Sequence, residues 1–224
     1  VSIIYLDNNA TTQVAPEVVE AMMPYLTGEY FNPSSMYEAS RGPAKAISGA
    51  RKKIANLLGH AKAPEILFTS CATESNNTAV LGTIAANPER RHIVTTAVEH
   101  PAIYEVAKDL ERRGYEVDFI PVDRQGRIDM TEFVRALRPD TLLVSAMHAN
   151  NETGVVFPVE DLSRITKETD PSIVFHTDAT QTVGKREIDL RDSFEHVDLL
   201  SFSGHKLHAP KGIGALFIRR GTPC

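Results

Sequence analysis

Short β-branched and apolar runs alternate with helical stretches along this chain of 224 residues, and that alternation constrains its fold more than any other feature. Residues 66–70, 92–98, 116–122, 141–149, 173–179, 199–203 and 214–220 read as strands. Several of these runs are apolar on both faces, as parallel strands covered by helices are. Helices are expected between them, over 44–58, 75–86, 103–113, 130–137 and 159–169. Arg112-Arg113-Gly114 reads as a basic last turn followed by a C′ glycine. Only Pro210-Lys211-Gly212 and its neighbours link the last two strands. That link is too short for a helical crossover, so the seventh strand is expected to run antiparallel. The expected fold is α/β, a mostly parallel seven-stranded sheet with helices on both faces.

Ligands of such sheets bind outside the carboxyl ends of the strands. Those ends carry Cys71-Ala72-Thr73-Glu74, Glu99-His100-Pro101, Asn150-Asn151-Glu152, Asp178 running on to Gln181, and Gly204-His205-Lys206. Hydroxyls, imidazoles, amides, a carboxylate and a lysine therefore gather at one edge.

Composition narrows the partners. The chain has 24 Lys and Arg against 29 Asp and Glu, a net charge of −5. No basic field exists to hold nucleic-acid phosphates or an anionic membrane. No apolar run reaches the roughly 18 residues of a membrane helix. The first residues, Val1-Ser2-Ile3-Ile4-Tyr5, lack the layout of a secretory signal, and the missing Met points to processing or trimming. Cys71 and Cys224 lie far apart with no C-x-x-C, which argues against a disulfide scaffold or a thiolate zinc site. A soluble cytoplasmic protein is expected.

The helix start after Cys71, with the Thr73 hydroxyl, suits a phosphate, although a bare N-cap without ligand is the alternative. Cys71 itself reads as a small packed residue rather than a nucleophile. A carboxylate at Asp178, ending an apolar strand, needs a cation: a protein side chain or a protonated ring nitrogen. A lysine at a strand end such as Lys206 can be desolvated enough to form an imine, or can simply be solvated. His205 and His208 have ligand-like spacing but no third partner, so a metal site is the weaker reading. Taken together, an imine-forming lysine, a carboxylate, an anion-binding helix start and an imidazole describe a pyridoxal phosphate pocket.

At these residues the chain resembles the NifS/IscS-type cysteine desulfurases, in the class V aminotransferase group of fold-type-I pyridoxal phosphate enzymes. The matching segments begin with Tyr5-Leu6-Asp7-Asn8-Asn9-Ala10-Thr11-Thr12, Asn32-Pro33-Ser34-Ser35 and Phe68-Thr69-Ser70-Cys71-Ala72-Thr73-Glu74-Ser75. They continue with Val98-Glu99-His100, Asn150-Asn151-Glu152-Thr153-Gly154 and His176-Thr177-Asp178-Ala179-Thr180-Gln181. Ser201-Phe202-Ser203-Gly204-His205-Lys206, followed by Gly212-Ile213-Gly214, is the most specific. The resemblance implies that Lys206 forms the imine with pyridoxal 5′-phosphate and later shuttles a proton. It implies that Asp178 keeps the ring nitrogen protonated and that His100 stacks on the ring and takes part in proton transfer. Gln181 would meet the ring hydroxyl, and Asn151 would border cofactor and substrate. Ala72, Thr73, Ser203 and His205 would hold the phosphate.

The same resemblance implies an L-cysteine substrate, an alanine product, an enzyme persulfide, a homodimer and an iron–sulfur scaffold protein as sulfur acceptor. In the family the persulfide-forming cysteine, a carboxylate-binding arginine and a phosphate contact from across the dimer lie beyond the stretch matched here. Residues 15–224 are thus expected to form the pyridoxal phosphate-binding large domain, with the C-terminal small domain absent. Residues 1–14 would form a segment packing towards that domain. A selenocysteine lyase, another class V enzyme, or a truncated non-catalytic pyridoxal phosphate-binding homologue are the alternatives.

Overall fold

A computed structural model describes residues 3–59 and 61–224; Val1 and Ser2, which open the segment 1–14, and His60 lie outside the described residues. Seven strands form one sheet: β1 Ile66–Thr69, β2 His92–Thr96, β3 Glu116–Ile120, β4 Thr141–Ser145, β5 Val174–Asp178, β6 Leu199–Ser203 and β7 Gly214–Ile218. Their spatial order is β1-β7-β6-β5-β4-β2-β3. All neighbouring pairs from β6 to β3 are parallel. β7 runs antiparallel to both β6 and β1, as the short link predicts. Consequently β1 points the same way as β2–β6, and six carboxyl ends share one edge. The first residue of β7, Gly214, joins them there, in register with both Ser203 and Thr69.

Helices cover both faces, and the register explains how. Adjacent strand residues alternate between two apolar clusters. Val94, Val144, Phe175, Leu200 and Phe217 belong to one, which also takes Ala55, Phe133 and Leu162 from helices α2 (Arg41–Leu57), α5 (Met130–Ala136) and α6 (Val159–Thr169). Ile93, Leu143, Val174, Leu199 and Leu216 belong to the other, with Ala79, Val80, Ile103 and Leu110 from α3 (Ala72–Ala86) and α4 (Pro101–Arg112). Each fully buried Phe or Leu contributes about 1.5–3 kcal/mol by leaving water.

Expected and observed elements differ in ways that matter for the site. Strands β2, β3 and β4 stop at Thr96, Ile120 and Ser145, before the expected ends at 98, 122 and 149. The residues beyond these strand ends leave the ladder and bring His100 and Asn151 to the cleft described below. Helix α3 starts at Ala72 rather than at 75, so Ala72 and Thr73 lie in its first turn. Helix α1 (Pro16–Thr27) is an addition to the expected set. None of its residues is buried and Pro24 lies inside it, so it shows no core-facing stripe. Gly114 has φ +86°, the left-handed conformation expected of a C′ glycine closing α4.

Candidate active site

A cleft of about 390 Å³ opens at the shared strand edge. All nine residues singled out from the sequence line it: Ala72, Thr73, His100, Asn151, Asp178, Gln181, Ser203, His205 and Lys206. They come from five loops or strand ends, which the parallel order brings to one place.

At the start of α3, Cys71 is the N-cap residue and no side chain caps the helix. The first-turn amides of α3 therefore face the cleft with their partial positive charge. Facing them from the end of β6 is Ser203, only 2% exposed, whose Oγ has no hydrogen-bond partner among the described residues.

Asp178, 6% exposed, ends β5. Asn76 Nδ2 donates to its Oδ2 at 2.7 Å and the Thr180 amide donates to its Oδ1 at 2.9 Å. Asn76 sits within α3 and is fully buried. Sequence reasoning passed over it because a polar residue in a helix interior carries no motif. Its one detectable signal is that it falls on the same helix face as Ser75, Ala79, Val80 and Thr83, all buried.

His100 is the N-cap of α4, and its Nδ1 accepts from the Ala102 amide at 3.1 Å. An accepting Nδ1 leaves the proton of the neutral ring on Nε2. Glu99, next to it, points the other way into the protein. Its Oε1 accepts from Thr96 Oγ1 and from the Met147 amide, both at 2.8 Å, and its Oε2 is buried without a partner. Burial pushes its pKa up to about 8.

Lys206 lies in the single 3₁₀ turn Gly204–Lys206 after β6. Its Nζ donates to the carbonyl of Asn9, and to that of Ala10 at 2.8 Å. Burial, and then the Lys185 ammonium, lower its pKa, against the pull of Asp7 and Asp178. His205 is lowered too, by burial and then by Lys206 and Lys211. Its Nδ1 lies 3.1 Å from Thr11 Oγ1, whereas His208 Nδ1 lies 3.0 Å from the Gln13 carbonyl, so the two rings are engaged separately.

The N-terminal segment completes the rim. The Thr12 amide and hydroxyl both donate to the His205 carbonyl at 2.9 Å, and the same hydroxyl accepts from the His208 amide at 2.8 Å. Asn9 Nδ2 donates to the Asn151 carbonyl at 3.2 Å, and Gln181 Nε2 donates to the Asn9 carbonyl at 3.1 Å. Ile3, Ile4 and Leu6, just before it, are exposed. In each of these contacts at least one partner is a backbone group, which every residue carries, so the sequence does not disclose the pairing.

Seven buried side-chain polar atoms lack a partner among the described residues, and four belong to cleft residues: Asn76 Oδ1, Thr180 Oγ1, Gln181 Oε1 and Ser203 Oγ. Buried polar groups are ordinarily paired, so unpaired atoms around a cleft mark where a polar ligand docks. The donor set fits pyridoxal 5′-phosphate: helix amides and hydroxyls at one end, a buried carboxylate under the middle and an amine beside it. Among the described residues, no group of three or more His, Cys, Asp or Glu is placed to hold a metal, and no helix is long and apolar enough to cross a membrane.

Comparison with known proteins agrees. The family model described as Aminotransferase class-V matches residues 4–222. The chain is 57% identical over 221 residues to cysteine desulfurase 2 of Trichormus variabilis, covering 99% of this chain and 54% of that protein. It is 49% identical over 219 residues to the cysteine desulfurase NifS of Azotobacter vinelandii, covering 98% and 54%. Among solved structures, a NifS-like protein superposes with a TM-score of 0.94 at 41% identity, covering 98% of this chain and 60% of that one. A structure of SspA in complex with cysteine gives 0.91 at 39% identity, covering 96% and 61%. The chain thus spans about half the length of the curated relatives it matches.

Proposed function

The chain belongs to the class-V aminotransferase family, and from that premise we propose that its cleft holds pyridoxal 5′-phosphate and forms the cofactor half of a cysteine desulfurase site. The observation that carries this reading is the meeting of Lys206, Asp178, His100 and the first turn of α3 around polar atoms left unpaired. When bound, the cofactor supplies an aldehyde that captures an amine and a cationic ring that draws electrons from the substrate.

The protein's own residues divide the work. The first-turn amides at Ala72 and Thr73, with Thr73 and Ser203 hydroxyls and the His205 ring, bind the phosphate. Asp178, held on both oxygens by Asn76 and Thr180, keeps a proton on the ring nitrogen. Gln181 Oε1 accepts from the ring hydroxyl, and Asn151 borders the substrate side. His100 would stack on the ring and take part in proton transfer, with its Nε2 proton available for that role. Lys206, whose pKa burial lowers, would supply the amine that the aldehyde captures and would afterwards move a proton at the substrate's α-carbon.

The relatives' names support L-cysteine as substrate, split into L-alanine and a sulfur atom carried as a persulfide on a protein thiol. Cys71 sits in the phosphate turn and Cys224 packs against α3, so neither takes that role in this reading. The accepting thiol belongs to the part of the relatives' length that this chain does not span. In the same reading the protein works as a cytoplasmic homodimer and passes sulfur to an iron–sulfur scaffold protein. Residues 1–14 act as a segment distinct from the large domain 15–224.

The test is direct. The purified protein with pyridoxal 5′-phosphate should turn yellow, and borohydride should fix one cofactor on Lys206, located by peptide mass mapping. Lys206→Ala should lose that fixation. A wild-type protein that stays colourless at saturating cofactor would sink the proposal.

A further inference from the structure

Cys71 is half-buried and lines the cleft, although as a small residue in a tight turn it reads as packing material. It is the N-cap of the 15-residue helix α3, with an extended backbone at φ −172° and ψ 173°. Ser70 Oγ donates to its sulfur from 3.7 Å, and the partial positive charge of the Glu74 amide, first, and of the Thr73 amide favours its thiolate. These donors hold the thiol below its usual pKa despite some burial.

A second observation, the buried Ser203 Oγ without a partner among the described residues, points to a ligand in the cleft that Cys71 lines. Gly214 packs so closely on this turn that an added Cβ would lie 2.7 Å from the Cys71 carbonyl carbon and 2.9 Å from its Cα. Gly214 is also the register partner of Ser203. Cys71 and Ser203, whose buried Oγ has no partner among the described residues, thus line the same cleft, and Gly214 lies between their backbones.

Cys224 supplies the contrast within the same chain. Its residue surface is exposed, but its Sγ is turned against α3, 3.7 Å from the Thr78 carbonyl and 2.9 Å from where a Cβ on Gly82 would sit. Burial pushes this thiol up.

We propose that Cys71 is a thiol-modification site at which a small disulfide, of the glutathione class, exchanges onto its sulfur and closes the phosphate end of the cleft. In the exchange the Cys71 thiolate attacks one sulfur of the small disulfide. The Cys71 S–S bond forms, the original S–S bond breaks, and the second sulfur leaves as a thiolate. An added dithiol reverses the exchange with the same balance. The adduct stands among the α3 amides and Ser203, which is where the proposed function seats the cofactor phosphate; that consequence rests on the cofactor reading.

Two measurements test the inference. In the first, iodoacetamide labels the protein at neutral pH and peptide mass mapping follows each thiol. Cys71 should react at least about tenfold faster than Cys224, and inorganic phosphate at high concentration should slow Cys71 alone. Equal rates, or Cys71 slower than Cys224, would overturn the site. In the second, the protein is treated with oxidised glutathione and pyridoxal 5′-phosphate binding is read by visible absorbance. Binding should be lost with one adduct on Cys71 and regained with dithiothreitol, while Cys71→Ser protein should be indifferent to the treatment. An adduct that leaves binding unchanged would overturn the closure. Failure of untreated protein to bind cofactor would instead strike the proposed function, and the labelling rates would still decide Cys71.

Discussion

Asn76, in the second turn of α3, donates from Nδ2 to Asp178 Oδ2 at 2.7 Å, across 102 residues of sequence. No ion pair reaches Asp178 among the described residues, so this amide and the Thr180 N–H fix how the carboxylate faces the cleft. Asn76→Ala strips one buried oxygen of its donor and should cost about 1–3 kcal/mol in urea unfolding. Asn76→Asp puts two buried carboxyls in contact, which must share a proton. Their folded-state pKa rises, so the loss of stability should grow as pH rises through neutrality and shrink in acid. An Asn76→Asp protein with a wild-type pH profile would remove the contact from the account.

Glu99 makes a pH-dependent contribution whose sign is fixed by its burial. Its pKa is raised from 4.5 to about 8 in the folded protein. The folded state therefore holds a proton that the unfolded state releases, and stability should fall as pH rises between about 5 and 8. Glu99→Gln keeps a neutral group of the same shape and should flatten that slope. Denaturant midpoints measured for both proteins across this range check it, and parallel curves would contradict it.

His176 joins three strands: its Nδ1 lies 2.8 Å from Ser145 Oγ and its Nε2 lies 2.9 Å from Ser201 Oγ. Complete burial holds its pKa well below 6.5, with Asp178 pulling the other way. The unfolded chain takes up a proton that the folded one refuses, so stability should be lost as pH falls below about 6.5. His176→Gln should weaken overall stability while making the acid limb shallower, as followed by circular dichroism against pH.

The Lys185 ammonium is the charge that, after burial, lowers the pKa of Lys206. Lys185→Gln should therefore move the amine of Lys206 to a more alkaline titration. The shift can be followed by the pH dependence of Lys206 acetylation, quantified by mass spectrometry. An unmoved titration would leave burial as the whole cause.

Gly214→Ala tests the close approach of β7 to the phosphate turn. The new Cβ would lie 2.9 Å from both Cys71 Cα and the Phe202 carbonyl oxygen, atoms of the backbone that cannot swing aside. The substitution should cost about 1–3 kcal/mol and displace the start of α3. Unchanged thermal stability would refute the tightness of this contact.

Much of this architecture is readable from residue order. The seven apolar runs become the seven strands, helix 159–169 has the bounds expected of it, and Gly114 takes its C′ conformation. The nine site residues singled out at the strand ends share one cleft because parallel strands can end only at one edge. What stayed hidden has physical causes. Lys206 is gripped by the carbonyls of Asn9 and Ala10, groups that every residue carries. Asn76 acts through a helix interior, where nothing local distinguishes it from a solvated amide. Helix α1 buries no residue and so leaves no periodic stripe to detect. Cys71 reads as filler in the sequence because a strand-to-helix turn does not disclose that the residue lines the cleft.

The reversed strand has a consequence for the order of assembly during synthesis. β1, made early, has β7 as its strand neighbour, and β7 is the last strand of the series. A nascent chain that has emerged only through β6 must wait with the edge of β1 unpaired. The turn that follows β1 then lacks the backbone of Gly214 on which it rests. The turn at Cys71 is therefore a late feature of the molecule, completed by insertion of a strand between two already formed. Under the proposed function, cofactor supplied before that insertion should find no complete seat, and ribosome-bound chains should acquire binding only when β7 has cleared the exit tunnel.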